Sequence, residues 1–281
     1  MGRIVLLLLG MLLSASTYAA GPGGVRKTVE ASMQVTGEVV IAPDGTLRSY
    51  VLDKPEALPA EVKALLARYL PACEFNVVTA SGKPEVVTAK MSLQVVVRQN
   101  ETGGSTISVN GSQFQDPDTP KHIDTVDMTP PHFPMDAVRA GMSGTVYVVL
   151  RLNPDGSVAE AHAEQVDMTV VASDNILRQG RNLLTKAALV KARQWRFKIS
   201  PEALAEGGAI NVRVPIDFTF VPKQVEESSV YGKWRGYVPG PYRPIPWRPE
   251  AVADRGLGAL LAGALYPLDT RIKLRNTPGG T

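Results

Sequence analysis

Two stretches of this chain end an extended run in the same tripeptide. Residues 35–45 read VTGEVVIAPDG and residues 146–156 read VYVVLRLNPDG. In the first, Val35, Val39 and Ile41 share a parity; in the second, Val146, Val148, Leu150 and Leu152 do. That alternation is the period of a strand with one buried face. Pro43 and Pro154 pre-set φ before the turn, and Gly45 and Gly156 can take the positive φ that a tight hairpin needs. The returning strands are expected over 46–52 and 157–166.

The segments after the two hairpins also match. Pro59 can open a helix whose stripe is Val62, Leu65, Leu66 and Tyr69, with Pro71 ending it. In the second copy Asp174 is the expected cap, and Leu183, Ala187, Val190 and Gln194 lie along one face beside Leu184 and Ala188. Then come Cys73-Glu74-Phe75 and Trp195-Arg196-Phe197. Last strands alternate through Met91, Leu93, Val95 and Val97, and through Val212, Val214, Ile216, Phe218 and Phe220. One amphipathic helix can cover one face of a small antiparallel sheet. The expectation is therefore an α+β fold of two small modules, each β-β-α-β with one covering helix, at 28–99 and 131–222. Residues 100–130, rich in Gly, Ser, Thr, Asp and Pro, read as a linker with one short strand at 105–109. Pro134 is placed to open a short helix over 135–140.

The first residues have another character. Arg3 precedes an aliphatic run over 4–13, and small residues lead to Ala19 and Ala20, the order of a secretory signal cleaved after residue 19. That run is too short to span a membrane, and no later stretch reaches the required length of about 20 residues. The expected mature protein is periplasmic and has no membrane span.

Composition narrows function by exclusion. A single Cys rules out an internal disulfide framework and a Cys₄ zinc site, and three His rule out a His-rich metal binder. A net charge of +3 over 281 residues is too small to argue for a nucleic-acid partner. Asp118, His122, Asp124, Asp127 and His132 fit no metal-ligand spacing and read as a polar loop. No nucleophile elbow, P-loop or dinucleotide fingerprint occurs, and Cys73 has no nearby His. Cys73 stands where the second copy has Trp195, which suits a buried core residue. The expectation is a non-enzymatic protein with no cofactor and no metal.

The second module closely resembles the C-terminal domain of TonB, the periplasmic end of an energy transducer. The pattern is an aromatic-Pro pair, an Ala, a Gly before a strand, an Asp-Gly turn and a helix ending in Trp-x-Phe. It is carried by Phe133, Pro134, Ala137, Gly144, Asp155, Gly156, Trp195 and Phe197. The first module looks like a degenerate relative that keeps Asp44, Gly45 and Phe75 but lacks the Phe-Pro opening. The resemblance implies binding of the short N-terminal box of outer-membrane TonB-dependent receptors by strand addition to a sheet edge. The last strand, 211–221, is the candidate edge, with Arg213, Val214, Ile216, Asp217 and Phe218 along it. Pro215 within it lacks a donor, as edge strands tolerate. Arg213 and Asp217 share the parity expected to face solvent. A transducer of this family also has a membrane helix and a Pro-rich spacer, where this chain has an export signal and a second module. The alternative is a periplasmic structural or assembly protein that self-associates through its modules and tail.

Residues 223–281 match neither module. Tyr231, Trp234, Tyr237, Tyr242 and Trp247 sit among Gly and Pro, which bars regular helix or central strand over most of the segment. Such a segment either packs in cis over an open edge or recruits another protein, and 251–265 is expected to hold a short helix.

Overall fold

The computed structural model describes residues 28–77, 85–100, 104–115, 122–205, 207, 209–219, 231–248, 257–276 and 278. The expected export segment, Asp116, Asp118, Phe220 and Val221 lie outside them. Strands β1 (Glu30–Ile41) and β2 (Leu47–Leu52) form the first hairpin, succeeded by α1 (Ala60–Tyr69), β3 (Phe75–Val77), β4 (Val87–Gln99) and β5 (Ser105–Gln115). Next come β6 (Ile123–Asp127), α2 (Met135–Arg139), β7 (Gly144–Leu152), β8 (Val158–Met168) and α3 (Asp174–Ala192). Then β9 (Arg196–Ile199), α4 (Pro201–Ala205) and β10 (Ile210–Phe218) lead to three short strands: β11 (Arg235–Tyr237), β12 (Tyr266–Pro267) and β13 (Ile272–Leu274).

This is an α+β molecule whose described strand pairs are all antiparallel. The first sheet runs β11-β1-β4-β5 with β2 also on β1, and the second runs β12-β10-β7-β8. Two further ladders, β13-β3 and β6-β9, are two-stranded. Both hairpins close as their sequences require. Gly45 and Gly156 have φ of 87° and 80°. Asp44 Oδ1 accepts from Thr46 N–H (2.9 Å), and Asp155 Oδ1 accepts from Ser157 N–H (2.9 Å).

Each sheet buries one face under one helix. Val62, Leu66 and Tyr69 of α1 pack on Met33, Val35, Val39, Ile41, Leu93 and Val95. Leu177, Leu184, Ala188 and Ala192 of α3 pack on Val146, Val148, Leu150, Val212, Val214 and Ile216. The α3 stripe is rotated from the expected one. Leu183 and Ala187 are only partly buried and Val190 is 53% exposed, because the small Ala188 and Ala192 let the helix sit close to the sheet. The N-cap position of α3 falls to Ser173, with Asp174 in the first turn, where its charge suits the helix dipole. Pro71 sits inside a 3₁₀ turn, Leu70–Ala72, that tightens the end of α1.

Two stretches are more ordered than their composition suggests. The expected strand at 105–109 is the first part of β5, which pairs along β4 from Gln99↔Ser105 to Lys90↔Gln115. β6 pairs with β9 immediately after Trp195. The Ser, Asn and Gln of β5 carry no strong local strand signal, so pairing with β4 decides its state. In the tail, the described part of the expected 251–265 helix holds only a 3₁₀ turn, Leu257–Ala259. Gly258 and Gly263 are poor helix residues, and Gly263 has a φ of 74°.

The tail ties the two sheets together. β11 extends β1, and the next residue, Val238, exchanges backbone hydrogen bonds with Met168 at the end of β8. The 257–259 turn lies over the outer face of the first sheet, where Gln34 Nε2 and Ser92 Oγ donate to Ala259 O. Leu257, Leu260 and Tyr266 pack with Tyr147 of the second sheet.

Candidate peptide-binding edge

The residues that define the second module meet around one hairpin. Phe133 stacks edge-on against Phe218 (5.6 Å between ring centres), which fixes the start of the domain to the end of β10. Pro134 is the N-cap of α2, and Ala137 is fully buried in the core. A Cβ on Gly144 would lie 2.3 Å from Asp167 O, so β7 and β8 approach too closely there for any side chain. Trp195 is buried, and its Nε1–H donates to Thr129 O (2.9 Å). Phe197 N–H donates to Gly156 O (2.9 Å), locking β9 to the Asp-Gly turn. The first hairpin repeats that bond, Phe75 N–H to Gly45 O (2.8 Å). Cys73, two residues before Phe75, is buried, and burial pushes its thiol up to about 12.

β10 lies between β7 and the tail. Val214, Ile216 and Phe218 point into the core. On the outer side, Leu268 N–H donates to Asn211 O (2.9 Å) and Gly263 N–H to Pro215 O (2.8 Å), with Arg213 opposite Tyr266 between them. In an antiparallel strand a residue directs its N–H and C=O to the same side. Asn211 and Pro215 therefore face outward, and the donor that Pro215 lacks is missing from the outer edge rather than from the β7 ladder. Trp247 Nε1–H closes the cover by donating to Asn211 Oδ1 (2.9 Å).

The other edge of this sheet is also occupied. Arg243 N–H donates to Glu164 O (2.7 Å), so 238–243 runs beside β8. Arg181 of α3 holds that run, with Nη2 donating to Val238 O and Pro239 O (3.3 and 3.2 Å).

Arg213 and Asp217 part company. Asp217 is exposed and accepts from Thr219 Oγ1 (2.7 Å). Arg213, expected on the solvent side, is buried and ion-paired with Glu164, itself 0% exposed. The pair is bidentate, with Arg213 Nη2 donating to Glu164 Oε2 at 3.1 Å. Glu164 is the extra residue of a bulge, since Tyr147 pairs with Gln165 and Val148 with Ala163. The bulge shifts parity on β8, and the tail closes over the result. No period-two reading of the sequence finds this pair.

A polar cavity of about 380 Å³ separates the sheets, lined by Glu30, Gln94, Arg98 and Asn110 on one side and Gln165 and Asp167 on the other. Glu30 accepts from Arg98 Nε (2.6 Å) and from the Tyr237 hydroxyl. Asp167 accepts from Gln165 Nε2 (2.7 Å) and Gly240 N–H (2.9 Å), yet burial pushes its carboxyl up to about 6.

Comparison with known proteins agrees with this geometry. Residues 129–220 match the family described as Gram-negative bacterial TonB protein C-terminal. That segment is thus similar to a TonB C-terminal domain. Two curated proteins, each named Protein TonB, come from Xanthomonas campestris pv. campestris strains B100 and ATCC 33913. Each is 31% identical over 97 residues, which is 34% of this chain and 37% of the relative. The chain therefore covers little more than a third of the length of these relatives. No solved structure matches. Among the described residues no helix is long and apolar enough to cross a membrane.

Proposed function

We propose that this is a non-enzymatic periplasmic protein whose 131–222 domain binds an extended peptide by strand addition to β10. The partner class is the N-terminal box of outer-membrane TonB-dependent receptors, or another periplasmic protein that presents a similar segment. The observation that carries the reading is the tail on β10. A two-residue strand flanked by single hydrogen bonds to Asn211 and Pro215 already uses this edge as a strand acceptor. Main-chain pairing of that kind needs no catalytic group and tolerates the missing donor at Pro215.

In this reading the tail is a resident strand that a peptide must displace. The interrupted pairing supports it, because β12 holds far less of β10 than β7 does. The 28–99 segment is read as a degenerate second copy of the module. Support comes from the shared order β2-β1-β4 and β8-β7-β10, and from the matching Asp-Gly turns and Phe75 and Phe197 bonds. Titration of the protein with receptor-box peptides, monitored by amide chemical shifts, tests the binding. Shifts along 211–217 are expected; binding that perturbs other residues only would refute the edge assignment.

A further inference from the structure

The tail caps β1, β3, β8 and β10, and β6 caps β9. Among the described strands of six or more residues, β2 and β5 keep an outer side with no strand paired to it. They differ in kind. β2 has six residues and carries Arg48. β5 has eleven residues, STISVNGSQFQ, with no charged side chain and no Pro. Short length, charge and Pro are the devices by which edge strands discourage pairing. β5 has none of these three, and only a bulge at Asn110 interrupts it, in a molecule that covers its other long edges with its own chain.

We propose that β5 is the surface through which two copies of this chain associate, paired antiparallel across a two-fold axis so that the two first sheets become one. The strand's own chemistry selects the occupant. A neutral strand offers nothing to a charged segment, whose ions would lose water without gaining a counter-charge. Against itself it brings no like charges together. Its Ser, Thr, Asn and Gln side chains both donate and accept, so each can bond its counterpart in an isologous interface. A second copy also matches the length of the edge. The strand is already ordered, since β4 pairs with it on both sides of the bulge at Asn110 and Ile107, Val109 and Phe114 anchor it in the core. The inference does not rest on the peptide-binding reading, because it concerns the other sheet.

Sedimentation velocity and hydrogen exchange on the protein without its first 19 residues test it. The expected result is a mass that rises from monomer to dimer with concentration, together with rising protection of amides in 105–115. Because the contact is neutral, the association should change little with salt. Thr106→Lys/Ser108→Lys is expected to weaken it at least about tenfold, a change of about 1.4 kcal/mol, without lowering the melting temperature. A monomer throughout the high-micromolar range would overturn the proposal. So would a dimer whose 105–115 amides exchange as fast as in the monomer, a reading on the unmodified protein that needs no variant to fold.

Discussion

Glu164 and Arg213 lie within a closed layer between the second sheet and the tail, where a lone charge has neither water nor a partner. Removing one side of such a pair typically costs about 3–5 kcal/mol, whereas replacing both with apolar groups of similar size is often neutral. Glu164→Leu or Arg213→Met alone should therefore lower the urea midpoint strongly, and the double variant should recover most of the loss. Asp167 gives a pH signature. Its carboxyl is raised from 3.8 to about 6 by burial, so the folded state favours the protonated form. That contribution is full below pH 3.8 and is lost as pH rises through about 6, on the order of 3 kcal/mol. Asp167→Asn keeps an acceptor for Gly240 N–H and should flatten the fall in stability between pH 4 and 6. A variant whose melting temperature falls across that window as in the parent would contradict the assignment. The motif residues were legible at this scale because their constraints are local: a turn at Gly156, a ring at Trp195. Glu164 and Asp167 were not. A bulge moved one, and a segment some 70 residues away covers the other.

At the scale of elements, strong alternation or a wide apolar stripe is enough to define a strand or helix from the chain alone. β1, β4, β7 and β10 are of this kind. β5 is legible only in part, since its neutral polar side chains leave the outcome to pairing with β4. β11, β12 and β13 have two or three residues each, and a strand that short exists only because a longer one presents its edge. Their Pro and Gly neighbours correctly exclude long regular structure but say nothing of where single hydrogen bonds land. Two such bonds flank the β12 pairing on β10. Leu268→Pro deletes one of these donors without touching the core. In a peptide titration this variant is expected to bind receptor-box peptide several-fold more tightly than the parent, on the basis of one neutral hydrogen bond at about 0.5–1.5 kcal/mol. Equal affinity would mean that the tail does not compete for this edge.

At the scale of the whole molecule, the chain read as two modules, a linker and a separate tail is more tightly joined than that division implies. The tail adds strands to both sheets, packs between them and, through Tyr237, Pro239 and Gly240, helps line a cavity shared with Glu30, Arg98 and Asp167. The segment similar to a TonB C-terminal domain is thus held inside a larger fold that covers both of its sheet edges, and under the proposed function peptide binding there is an exchange of one strand for another. Hydrogen exchange at 263–268 with and without saturating receptor-box peptide tests that exchange most directly. These tail amides are expected to lose protection while 211–217 stay protected by the incoming strand. Saturated binding with the tail amides unchanged would contradict strand exchange.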